Sequence, residues 1–370
     1  MVTFARSAHD GTPMQELIPR HGNSMGRRPN PKNLLDSVGN RIDFDYISSL
    51  AGSSVVSADQ FDRRMVGELC KFASLLEITE IASHHPLDGK LVVTAFFEAS
   101  TRTRLSFESA VLRLDGKIVS VPDGRVTGVA KGESLSDIGE MLNTYGDLVV
   151  LRHPEVSAVD EIRRNLLLPL VNAGNGSGEH PTQALIDWYA LLKFRPDLLR
   201  DDLSDDLRIH VGIIGTPGSM RAVKSFLRMA LRFENAVKQV TIISEMADAL
   251  GESLAEEVEH SAVPVNTTNS LETVLPTLDV IYMNSIALIG GSYRNLDSRY
   301  KLTRNSDLKP GAVVMHPFAR NNELDTSLDD TPANLYFAQA AGGVYMRQAL
   351  LTAILDRISR LPPSLRLLTT

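Results

Sequence analysis

Apolar residues recur along the chain in two rhythms. Continuous apolar runs at residues 91–97, 117–121, 147–151, 170–172, 209–215, 240–244, 279–283 and 312–315 are bounded by polar or turn-forming residues. Such runs are the form of strands buried on both faces of a sheet. Between them, apolar residues fall three and four apart: Phe61, Met65, Leu69, Phe72 and Leu76, then Phe107, Val111 and Leu114, then residues 220–231 and 247–259. A last stretch at about 344–360 ends at Pro362 and Pro363. That spacing places the apolar positions on one helical face, and Ser57 with Gln60 has capping-box form ahead of the first helix. Strands alternating with helices predict an α/β protein of two domains, each a mostly parallel sheet with helices on both faces.

The predicted divisions are a flexible N-terminal extension at 1–43, a first domain at 44–185 completed by the helix at 344–360, and a second domain at 205–338. Gly11, Pro13, Pro19, Gly22, Gly26, Pro29, Asn30 and Pro31 punctuate the extension too often for a long regular element. A surface-draped tail or an arm contacting another subunit both fit.

Composition narrows the picture. A length of 370 residues suits two domains with their own cores. With 38 basic and 45 acidic side chains the formal charge is −7, so no nucleic-acid partner is expected. Cys70 is the only cysteine, which excludes an internal disulfide and a cysteine-based zinc site. No apolar run is long enough to span a bilayer, and Arg6, His9, Asp10, Glu16 and Arg20 interrupt any signal-peptide core. A cytoplasmic protein without a membrane partner is the expectation.

Candidate chemistry begins where the run at 91–97 hands over to a helix, at Ser100, Thr101, Arg102 and Thr103. Unpaired amides and the dipole of a helix start favour an anion there, hydroxyls add donors, and a guanidinium grips two oxygens. From these four residues alone an anion site and a simple N-cap with a solvated arginine both remain open. The flanks decide. The segment FFEASTRTRLSFE at 96–108 resembles the carbamoyl-phosphate signature of the aspartate carbamoyltransferases, in the aspartate–ornithine carbamoyltransferase family. KGESL at 131–135, RHP at 152–154, NAGNG at 172–176 with HPTQ at 180–183, and HPFAR at 316–320 match in the same order. The resemblance covers roughly residues 44–360.

It implies that carbamoyl phosphate binds in a cleft between the domains. Ser100, Thr101, Arg102 and Thr103 would hold the phosphate, and Arg152 would bridge phosphate and carbonyl oxygen. His180 would donate to that oxygen, completing with Arg152 and Thr103 a hole for its developing charge. Gln183 and the carbonyls of Pro317 and Phe318 would orient the carbamoyl NH₂. Thr127 and Lys131 would reach into a neighbouring subunit's site, which implies a homotrimer with shared sites. Neither a metal nor an organic cofactor is required, and the partners are carbamoyl phosphate and a small amine.

The acceptor side departs from the pattern. Arg221 falls on a family arginine that grips a carboxylate, Lys131 also faces the acceptor, and Glu98 occupies a position involved in domain closure. Where the family carries an arginine and, two residues on, a glutamine, this chain has Ser285 and Ala287. Removing the guanidinium partner of a buried carboxylate costs about 3–5 kcal/mol, hundreds- to thousands-fold in affinity. The expectation is therefore carbamoyl transfer to an amino-acid-like acceptor other than aspartate. Alternatives are a genuine aspartate carbamoyltransferase of pyrimidine biosynthesis and a non-catalytic carbamoyl-phosphate binder. Arg294, Arg299 or Arg304 could replace the lost arginine. Phe318 stands where the ornithine-transferring relatives have a cysteine. Gly212, Gly215 and Gly218 lack the spacing of a dinucleotide fingerprint.

Overall fold

The computed structural model of the protein describes residues 29–37, 41–79, 84–284, 286–289, 292–295, 298–362 and 365. Its strands are β1 (Leu91–Phe96), β2 (Lys117–Val121), β3 (Leu148–His153), β4 (Leu170–Asn175), β5 (Ile209–Ile214), β6 (Val237–Ile243), β7 (Val265–Thr268), β8 (Val280–Met283), β9 (Ile286–Ile289), β10 (Ser292–Asn295) and β11 (Val313–Met315). Its helices are α1 (Pro31–Ser37), α2 (Phe44–Ser48), α3 (Arg63–Ile78), α4 (Thr101–Arg113), α5 (Leu135–Leu142), α6 (Ala158–Arg163), α7 (Pro181–Phe194), α8 (Arg221–Leu231), α9 (Glu252–Glu259), α10 (Leu271–Val274) and α11 (Tyr336–Ile354).

Two parallel sheets carry the molecule, in the order β2-β1-β3-β4 and β11-β8-β5-β6-β7, with β9 and β10 forming a separate antiparallel pair. Every residue of β3, β4 and β8 is buried, as continuous apolar runs require in a sheet covered on both faces. Each sheet reverses strand order once, between β1 and β3 in the first and between β5 and β8 in the second. Crevices open beyond the carboxyl ends of strands at such reversals, and ligands bind there in open α/β sheets.

Helix α7 is buried along most of its length and serves both domains. Trp188 of α7 stacks on Phe233 at 3.9 Å between ring centroids and lies 6.2 Å from Phe226, which in turn stacks on Tyr282 at 4.1 Å, so an aromatic seam runs from α7 into the second domain. Helix α11 packs against α3, α4 and α7, returning the chain end to the first domain.

Three expectations change in detail. The first 43 residues are not all a loose extension. Asn30 Oδ1 accepts the Lys32 amide at 3.0 Å, Pro31 opens α1, and Leu34 is completely buried where α1 meets α3 and α7. The closing helix runs over Tyr336–Ile354 and not 344–360. The capping box of Ser57 and Gln60 closes a 3₁₀ turn at Ala58–Gln60, while α3 has its own N-cap, Asp62. No described helix is long and apolar enough to cross a membrane.

Candidate active site

A cavity of about 960 Å³ lies where the two strand-order reversals face each other. Its first-domain wall is built by the loop after β1, the end of β3, and the start of α7; its second-domain wall by the loop after β5, Asn284 and the 316–319 turn.

Ser100 is the N-cap of α4 and makes no side-chain capping bond; the first turn carries no acidic residue. The amides of Thr101, Arg102 and Thr103, with the two threonine hydroxyls, are groups that can meet an anion at the helix start. All four residues line the cavity, and Thr103 is buried. The Arg102 guanidinium stands 5.8 Å from the Phe318 ring centroid, which brings the phosphate turn across to the 316–319 turn.

Arg152, at the end of β3, is buried, donating Nε to Glu98 Oε2 at 2.5 Å and Nη1 to the Ala173 carbonyl at 3.0 Å. The same Glu98 oxygen accepts Arg221 Nη2 at 3.1 Å, and Arg221 Nη1 reaches the Gly176 carbonyl at 2.5 Å. One carboxylate therefore ties the first-domain Arg152 to the second-domain Arg221. Burial pushes the Glu98 carboxyl up from its ordinary range, and the Arg221 charge opposes that shift.

His180 begins α7 and is buried. Burial, with the Arg347 charge nearby, lowers its pKa to about 3, so the ring is neutral. Among the described residues its Nδ1 has no hydrogen-bond partner. Gln183, one turn on, donates Nε2 to Asp187 Oδ1 at 2.7 Å. Across the cavity, Phe318 N–H donates to His316 Nδ1 at 2.9 Å, so Nε2 carries the proton given to Glu323 Oε1 at 3.0 Å. These bonds fix the turn that presents Pro317 and Phe318 to the cavity.

Ser100, Thr101, Arg102, Thr103, Arg152, His180, Gln183, Arg221, Pro317 and Phe318 are thus brought to one cavity. Thr127 and Lys131 are not. Thr127 donates Oγ1 to the Gly124 carbonyl at 2.6 Å, Lys131 is exposed, and neither lines this chain's cavity. Ser285 lies outside the described residues, and Ala287 falls on β9 in register with Arg294 of β10. Arg299 pairs with Glu245 at 3.4 Å and Arg304 donates to the Ser327 carbonyl at 3.2 Å, and neither lines the cavity. Sequence reasoning passed over Asp187, Gln339 and Arg347. The last two line the cavity, and the signal was there: polar side chains on helices otherwise apolar all round.

Comparison with known proteins agrees with this geometry. Residues 53–193 match the model for the carbamoyl-phosphate-binding domain of aspartate/ornithine carbamoyltransferase, and residues 208–354 match its aspartate/ornithine-binding domain. The aspartate carbamoyltransferase catalytic subunit of Methanospirillum hungatei is 35% identical over 308 residues, covering 81% of this chain and 99% of that protein. The corresponding subunit of Chromobacterium violaceum is 36% identical over 275 residues, covering 73% and 87%. Among solved structures, aspartate transcarbamoylase of Trypanosoma cruzi in complex with carbamoyl aspartate and phosphate superposes with a TM-score of 0.73 at 31% identity, covering 84% of this chain and 98% of that one. The same enzyme with N-(phosphonacetyl)-L-aspartic acid gives 0.71 at 32% identity, covering 84% and 97%. With both domain models matched and the cavity built from the matching segments, the chain belongs to the aspartate/ornithine carbamoyltransferase family.

Proposed function

We propose that the protein moves the carbamoyl group of carbamoyl phosphate onto the amino group of an amino acid, aspartate in the first instance, and releases phosphate. The observation that carries this reading is the convergence of Ser100–Thr103, Arg152, His180 and Gln183 on one cavity that Arg221 enters from the other domain. The neutral acceptor amine attacks the carbonyl carbon. A C–N bond forms, the C–O bond to phosphorus breaks, and the departing phosphate takes the electron pair and the amine's proton. Arg102 and the α4 amides hold the phosphate. Thr103, Arg152 and His180 face the carbonyl oxygen as it gains charge, and the Gln183 side chain with the Pro317 and Phe318 carbonyls orients the NH₂. Catalysis then rests on positioning and charge stabilisation, with no covalent enzyme intermediate. Arg221 grips an acceptor carboxylate after exchanging Glu98 for it. Thr127 and Lys131 act in the cavity of a neighbouring copy within a homotrimer.

The relatives weigh toward aspartate, against the expectation of a changed acceptor. Ser285 and Ala287 keep the second reading in play, an acceptor with one carboxylate and a different side chain. Phosphate release measured with a panel of amino acids, aspartate included, and mass identification of the product separate the two. Saturation by aspartate at or below low millimolar concentration supports the first; efficient turnover only with another amine supports the second.

A further inference from the structure

Asp187 is completely buried on α7, one helical turn beyond Gln183, and the mechanism above gives it no role. Three donors converge on it. Gln183 Nε2 reaches Oδ1 at 2.7 Å, Gln339 Nε2 reaches the same oxygen at 2.6 Å, and the Tyr282 hydroxyl reaches Oδ2 at 2.8 Å. The partners come from α7, α11 and β8, so both domains and the closing helix meet on this one carboxylate. The charged group facing it is Arg347 on α11, itself buried, with Nη1 on Ser106 Oγ at 2.5 Å.

Toward both glutamines Asp187 acts as an acceptor in either protonation state. Ionised it has no proton to give, and a proton on the carboxyl fits on Oδ2 beside the Tyr282 hydroxyl, leaving Oδ1 to accept both amides. Each glutamine amide that touches it must therefore turn its NH₂ inward and its oxygen away. For Gln183, which lines the cavity, the outward end is the acceptor that a carbamoyl NH₂ needs. For Gln339 the outward Oε1 accepts the His316 backbone N–H at 2.8 Å, which anchors the turn carrying the Pro317 and Phe318 carbonyls. Without the carboxylate Gln339 keeps only the His316 N–H to hold its orientation, whereas the Gln183 amide is free to reverse, and a reversed Gln183 would set NH₂ against NH₂.

We propose that Asp187 is a positioning residue that sets the polarity of the carbamoyl-amide clamp, holding the Gln183 and Gln339 amides so that every group facing the substrate NH₂ is an acceptor. The proposal rests on the carbamoyl-transfer reading and adds the group that enforces it. It predicts discrimination between carbamoyl phosphate and acetyl phosphate, which replaces the NH₂ by a methyl group and leaves the phosphate unchanged.

The test is calorimetric binding of carbamoyl phosphate, acetyl phosphate and inorganic phosphate to the full chain, to Asp187→Asn and to Asp187→Leu. Wild type is expected to prefer carbamoyl over acetyl phosphate by about tenfold or more, the worth of one to two hydrogen bonds. Asp187→Leu is expected to erase that preference while inorganic phosphate binds as before. Asp187→Asn, nearly the same volume, is expected to fall between, because its own amide fits either way round. A merely structural role would weaken all three ligands together. Full preference retained in whichever variant folds overturns the proposal and leaves carbamoyl transfer standing. A wild type without preference overturns both.

Discussion

His180 shows how much one side chain's surroundings decide. A histidine in water is half protonated near neutrality, whereas burial holds this one to about 3 and keeps it neutral. Two expectations follow. Replacing His180 by alanine should lower kcat about 10²- to 10³-fold, the typical loss of an oxyanion donor, with a smaller effect on the KM for carbamoyl phosphate; steady-state kinetics reads the split. The pH dependence has a definite sign. Because the folded pKa is depressed below the unfolded value, the stabilising contribution is present above about pH 6.5 and is lost as pH falls toward 3. Denaturant unfolding at a series of pH values should show wild type losing more stability on acidification than His180→Gln. Asp187, raised to about 7 by burial, acts in the opposite direction: its contribution is full below the unfolded carboxylate pKa and declines as pH rises through 7. At this scale Ser100, Arg102, Arg152 and His180 were legible as cavity residues only through the family motifs around them, since each residue type alone also fits a cap, a surface ion pair or a structural histidine. Asp187 was not, because its partners Gln339 and Tyr282 lie far along the chain.

Elements were legible to the extent that burial alone shapes them. The buried strands β1, β3, β5 and β8 read directly from continuous apolar runs. Strand β7 did not, since it sits at a sheet edge and carries Asn266, Thr267 and Thr268 in place of an apolar run. The start of α11 was placed too late because Tyr336, Ala338 and Gln339 are buried by tertiary contacts that no local periodicity records. Helix α1 was hidden by the glycines and prolines around it, yet Leu34 is one of the completely buried leucines. Leu34→Ala should lower the unfolding free energy by about 2–5 kcal/mol, read by chemical denaturation. A loss below about 0.5 kcal/mol would mean that α1 adds nothing to the core.

For the whole molecule, the decisive feature is that two sheets turn their strand-order reversals toward one cavity, joined by the seam of Trp188, Phe233, Phe226 and Tyr282. The alternation of strands and helices foretold the two sheets. It carried no information on which loops face each other, because that depends on packing across α7 and α11. Thr127 and Lys131 lie outside this chain's cavity, and under the proposed homotrimer they act in a neighbour's. If so, Arg102→Ala and Lys131→Ala chains, each inactive alone, should recover about a quarter of the wild-type activity when unfolded together, mixed equally and reassembled, by random assortment of the two kinds of chain. No recovery would place both side chains in the same subunit's site.

The central claim, carbamoyl transfer at this cavity, is met most directly by incubating the full chain with ¹³C-labelled carbamoyl phosphate and aspartate and following the carbon by NMR, with the Arg152→Ala variant alongside. The account predicts that the label leaves carbamoyl phosphate for a carbon bonded to the amino nitrogen of the acceptor as phosphate appears in equal amount, and that the variant slows this at least a hundredfold. Label that decays no faster than in buffer with aspartate and with every other amino acid tried, or transfer that survives the loss of Arg152 undiminished, would contradict it.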